Sequence, residues 1–195
     1  MSPLSKIIGL LQIDSTVGDL AGNAERLESL TAIAQANGAQ VAIATELAVC
    51  GYPPRDLLLQ PDFITTSFET AKNLAVEIPV LVGTPIPPDH ERNLPANGVV
   101  RAGVLQAVPN KDNTNRVVAK KQLLPSYDVF DETRYFTPAN RSGICRSIGE
   151  IDLGITICED AWQAAGLTPS AYGQDPVASL AEWGRQGVSL DATVN

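Results

Sequence analysis

The sequence predicts an α/β layered domain in which helices lie outside packed sheets, and three observations lead there. Short β-branched apolar runs alternate with longer segments of helical spacing as far as Pro85; closely spaced strands and turn residues replace that alternation from Asn97; a strand-then-helix pattern returns after Gly149.

Lys6 to Ile13 reads as a buried strand. Asp19 to Asn37 reads as a helix, because Leu20, Ala24, Leu27, Leu30 and Ala34 recur every three or four residues, and Gly38 stands where a left-handed cap is wanted. Val41 to Thr45 is a second buried strand ending at Glu46. Two prolines make Gly51 to Asp56 a turn, since neither can donate to a ladder. A helix is expected from Pro61 to Glu77, with Phe63, Ile64, Phe68, Ala71 and Ala75 on one face, then a third strand from Val80 to Pro85. Gly98 to Arg101, Val104 to Val108 and Arg116 to Lys120 follow as short hairpin strands, the last two separated by a polar loop from Pro109 to Asn115. Leu123 to Asn140 has no period and is taken as a structured loop. Ile144 to Ile148 and Ile151 to Ile157 form a hairpin around Gly149. Asp175-Pro176 supplies an N-cap and a proline at the first helical position, starting a helix that runs to about Gly187. Leu190 to Asn195 begins another strand. The expectation is one domain over residues 1–195, with no repeat and no second domain, stopping inside what resembles a core strand.

The net charge of -8 and pI near 4.6 argue against a nucleic-acid or anionic-membrane partner, both of which select for Lys and Arg. Ile7 to Ile13 is too short to span a bilayer and lacks a cleavage-site pattern, so a cytoplasmic location is expected. Cys50, Cys145 and Cys158 are an odd count without CxxC spacing, which fits reduced thiols and no metal site. The one histidine, His90, sits in a Pro-rich surface loop. Any cysteine nucleophile here must therefore take its base from a carboxylate or a lysine.

Gly154 to Trp162 sets an apolar run against Cys158, Glu159 and Asp160. A strand delivering a nucleophile fits, with the acidic pair in the first turn of a helix whose N-terminus lowers the thiol pKa; a buried structural cysteine fits as well. Glu46 and Lys121 also follow strands, and strand ends of an α/β sheet converge on a common crevice. Carboxylate, ammonium and thiol make a complete set for acyl transfer, although each, taken singly, is equally an ordinary strand-end charge or core filler.

Their contexts narrow this. Glu46 with Gly51-Tyr52-Pro53-Pro54-Arg55-Asp56-Leu57-Leu58, Lys121-Gln122-Leu123-Leu124-Pro125 with Val129-Phe130-Asp131-Glu132-Thr133-Arg134-Tyr135-Phe136, and Ile157-Cys158-Glu159-Asp160-Ala161-Trp162 resemble the ordered Glu, Lys and Cys motifs of the nitrilase superfamily. More narrowly they resemble the glutaminase domain of glutamine-dependent NAD synthetases. The resemblance runs from Lys6 to Asn195 and implies a nitrilase-like α-β-β-α sandwich, incomplete at the C-terminus because family domains continue further. It implies Glu46 as general base, Lys121 as transition-state stabiliser, Cys158 as nucleophile and the N–H after Cys158 as second oxyanion donor. Glu132 matches an auxiliary catalytic glutamate. Tyr52, Tyr127, Phe130 and Glu159 fall near the glutamine side chain and its α-amino group, and Asp160 becomes a pocket residue beside them.

The implied reaction is glutamine plus water to glutamate plus ammonia through a Cys158 thioester, the ammonia serving ATP-dependent amidation in a synthetase domain that this sequence lacks. No cofactor or metal is implied in this domain; ATP and magnesium belong to the synthetase part. The implied partners are glutamine, the synthetase domain and a second copy of the chain. Two other readings stay open: a stand-alone amidase or carbamoylase of the superfamily, and an inactive truncated fragment acting, if at all, by binding a partner.

Overall fold

A computed structural model describes residues 6–88, 101–107, 116–141, 143–148, 150–163, 166–167, 172–185 and 190–195. Five strands form the first sheet, in the order β1 (Ile8–Leu11), β2 (Val41–Ala44), β3 (Val80–Ile86), β4 (Arg101–Ala107) and β5 (Arg116–Lys120). The first three are parallel, as the βαβα pattern requires, and the last two antiparallel. Helices α1 (Leu20–Ala36) and α2 (Pro61–Lys72) connect the parallel strands and place Leu27, Phe68 and Ala71 against Ala42, Val80, Val82 and Leu105 on one face.

The second sheet is β6 (Gly143–Ile148), β7 (Ile151–Ile155) and β8 (Ala192–Val194), with β7 antiparallel to β6 and parallel to β8. Ile151, Leu153 and Ile155 pack across on Val41, Leu81 and Ala119, each such side chain contributing roughly 1.5–3 kcal/mol by leaving water. Helix α3 (Pro176–Arg185) lies behind β7, with Leu180 against Gly154. The layers are therefore α-β-β-α, as expected.

Local chemistry explains most boundaries. The Asp19 carboxylate accepts the Gly22 N–H at the start of α1, and Gly38 closes it at φ 85°. Asp175 caps α3 by accepting the Ala178 N–H at 2.9 Å. Helix α2 is shorter than expected, stopping at Lys72 rather than Glu77, because the Asn73 side chain turns back onto the Glu69 carbonyl. Arg101 and Val104 belong to one unbroken strand, not two. Gly103, the apparent turn, is instead a point of close approach where a Cβ would meet Ile86 Cγ1 at 2.7 Å. Strand β7 ends at Ile155, two residues early, and a single 3-10 turn, Cys158–Ala161, stands where a helix start was expected. His90, the polar loop at 109–115 and the Cys145 side chain lie outside the described residues. Among the described residues no helix is long and apolar enough to cross a membrane.

Candidate active site

Glu46, Lys121 and Cys158 each follow the end of a strand pairing region, and the sandwich brings them to one end of the layers. The backbone turns sharply at two of them: Leu47, directly after Glu46, has φ 49°, and Cys158 has φ 48°. Non-glycine residues in this left-handed region cost of order 1–3 kcal/mol each and are held there by their surroundings. For Glu46 that support is Gly83 of β3. A Cβ on Gly83 would lie 2.4 Å from the Leu47 nitrogen and 2.6 Å from the Thr45 carbonyl oxygen, so only glycine lets the Glu46 turn settle on the strand. Gly83→Ala is expected to displace Glu46 by about 1 Å, lowering turnover on the order of 100-fold with a fall in Tm; unchanged turnover would show that the turn has room to spare.

Lys121 is among the largest fully buried side chains. Its Nζ lies 2.8 Å from Glu46 Oε1 and 2.9 and 2.7 Å from the two oxygens of Glu132. Burial works against the ammonium, but the charges of Glu46 and Glu132 outweigh it and hold the lysine above its ordinary range, permanently cationic. Burial, and then the Glu46 charge, pushes the Glu132 carboxyl up. Tyr52 donates to Glu132 Oε1 at 2.9 Å, so the connected set runs Tyr52, Glu132, Lys121, Glu46.

The Cys158 thiol overturns one expectation. Its pKa is not depressed but pushed up to about 11, first by burial and then by the Glu46 charge, with Lys121 and a hydrogen bond from the Glu159 N–H pulling the other way. One 3-10 turn has too few aligned peptides to act as a helix N-terminus. The thiol thus rests protonated beside a carboxylate.

Glu159 is 1% exposed, with Tyr127 donating to Oε2 at 2.8 Å and Tyr172 to Oε1 at 3.2 Å. Phe130 stands edge-on to Tyr127 at 5.7 Å and 6.5 Å from the Tyr52 ring, forming an aromatic wall between the Glu132 and Glu159 carboxylates. On the Tyr52 side this wall borders a cavity of 290 Å³ lined also by Leu58, Val129 and Tyr135. Asp160, expected in the pocket, is a structural cap: Oδ1 accepts the Gln122 and Leu123 N–H groups and Oδ2 that of Ile157, so it locks the Lys121 strand end to the Cys158 turn. Tyr172 was missed, because an isolated aromatic in a stretch without period gives no signal. Gly83 had one: a glycine inside an apolar run marks close backbone approach.

No family model matches the chain. In structure it is similar to the glutamine-dependent NAD+ synthetase of Acinetobacter baumannii, with TM-score 0.68 and 23% identity over 93% of this chain and 30% of that one. It is also similar to an amidase from Nesterenkonia sp., with TM-score 0.58 and 19% identity over 79% of this chain and 56% of that one. That amidase is described as a member of the nitrilase superfamily, and one of its structures carries an acetamide moiety added covalently at the active-site cysteine. The fold of the present chain is the one these structures share.

Sequence narrows the relationship. The chain is 37% identical over 188 residues to the glutamine-dependent NAD(+) synthetase of Synechocystis sp., and 32% identical over 172 residues to that of Thermotoga maritima, covering 94% and 84% of this chain. Over those residues it is similar to the glutamine-dependent NAD(+) synthetases. It spans about a third of the length of these curated relatives, 32% and 27% respectively.

Proposed function

We propose that the site hydrolyses the side-chain amide of glutamine through a thioester at Cys158, releasing ammonia for use by the synthetase portion of a longer protein. The observation that carries the reading is the buried Lys121 ammonium held between Glu46 and Glu132, with Glu46 and Cys158 lining one cavity. Cys158 Sγ attacks the amide carbon as its proton passes to Glu46. The developing oxyanion is met by the Lys121 ammonium and the Glu159 N–H. As the tetrahedral intermediate collapses, Glu46 returns the proton to the departing nitrogen and ammonia leaves. Water, deprotonated by Glu46, then attacks the thioester; glutamate leaves and the thiol is restored. Glu132 holds Lys121 in place and Tyr52 holds Glu132.

A thiol with a pKa of about 11 suits this order of events, because the proton moves only when a carbonyl is in place to take the sulfur. On the ligand side, Glu159 is a buried carboxylate that the α-ammonium of glutamine would neutralise, with Tyr127 and Phe130 beside it. The similarity to glutamine-dependent NAD(+) synthetases supports glutamine over simpler amides. The chemistry needs no cofactor in this domain; ATP and magnesium belong with the synthetase portion, and a second copy of the chain is the proposed oligomeric partner.

The test is ammonia release from glutamine compared with short aliphatic amides and N-carbamoyl amino acids. The expected result is a kcat/KM for glutamine at least roughly 100-fold above the others, the scale set by a matched buried charge. A preference for short amides would instead establish a stand-alone amidase.

A further inference from the structure

We infer that Tyr172 is a gating residue that covers Glu159 and is displaced from it by a ligand carrying an ammonium group, at a cost to that ligand's affinity. This rests on the proposed amide-hydrolysing reading and names the residue that an amine-bearing substrate must displace.

Glu159 is 1% exposed, and among the described residues no lysine, arginine or histidine forms an ion pair with it. A buried carboxylate without a cation is costly, and among the described residues its side-chain donors are the neutral phenols of Tyr127 and Tyr172. The two bonds differ. Tyr127 bonds at 2.8 Å and its ring is braced edge-on by Phe130, whereas Tyr172 bonds at 3.2 Å from the segment preceding α3. That segment is tied down by Gln174, whose Nε2 donates to the Ala139 carbonyl at 3.3 Å, and Ala139 in turn donates its N–H to the Lys121 carbonyl at 2.9 Å. Tyr172 is therefore positioned beside the reacting groups while holding the weaker of the two bonds.

Because Glu159 has almost no free surface, an incoming ammonium reaches it only by displacing a phenol. The longer bond is the one to break. An α-amino amide exchanges a neutral hydrogen bond for an ion pair and gains by the exchange. An amide without the amine has nothing to offer Glu159, and Tyr172 stays closed.

The experiment measures calorimetric affinity for L-glutamine and for glutaramic acid, its des-amino analogue, in the Cys158→Ala chain with and without Tyr172→Phe. With the phenol–carboxylate bond removed, glutamine is expected to bind on the order of tenfold more tightly, while glutaramic acid changes by less than about twofold. Glutamine affinity that is unchanged or weaker, or an equal shift for both ligands, overturns the gating role. If the chain with Tyr172 intact binds neither ligand, the ammonium role fails outright. Hydrolysis of simple amides by the chain with Cys158 intact then shows whether the catalytic reading stands without it.

Discussion

Replacing Cys158 with alanine is expected to lower glutamine hydrolysis by at least about 1000-fold, about 4 kcal/mol of barrier, with little change in fold. In the proposed reaction the Cys158 sulfur forms the covalent intermediate, and no histidine or second thiol among the described residues shares its position, since Cys50 is buried with its own thiol pushed up to about 12. The sulfur is partly buried but packs no large volume, so the loss of stability should be small beside the loss of rate. Thermal unfolding and turnover measured on the same sample separate the two.

Lys121→Met is expected to cost stability as well as rate. It removes the ammonium that offsets Glu46 and Glu132, leaving two carboxylates within one buried set, a change worth roughly 3–5 kcal/mol. It also takes away the one nearby charge that pulls the Cys158 thiol pKa down, so alkylation of Cys158 at neutral pH slows further. Only the thiolate reacts, and the rate should climb roughly tenfold per pH unit toward the pKa. Adding Glu132→Gln to Lys121→Met removes one unpaired charge and should recover much of the stability but none of the rate. Full recovery of rate would contradict the oxyanion role of the ammonium. The two substitutions share a hydrogen-bonded set, so their effects are not expected to add.

Much of this arrangement is legible in the sequence, for identifiable reasons. Strand–helix alternation up to Pro85 carries both periodicity and caps, so α1 begins at its Asp19 cap and ends at Gly38 as expected. Glu46, Lys121 and Cys158 follow strands, and strand ends meet wherever sheets pack. What the sequence hides is set by tertiary contact. Nothing local says that Asp160 caps two separate backbone segments, or that Gly103 is an approach point rather than a turn. The thiol pKa fails for the same reason. The residues after Cys158 suggest a helix, while what raises the thiol is burial first and then the charge of Glu46, which lies far away in sequence. Tyr172 is brought to Glu159 by a segment without any pattern of its own.

The central claim is a covalent γ-glutamyl thioester on Cys158. Rapid acid quenching of the chain during turnover of glutamine, followed by mass mapping of its peptides, tests it directly. The predicted result is a γ-glutamyl adduct on the peptide containing Cys158, absent from Cys158→Ala. Ammonia release by Cys158→Ala at the unsubstituted rate, or an adduct confined to Cys50 or Cys145, would contradict it.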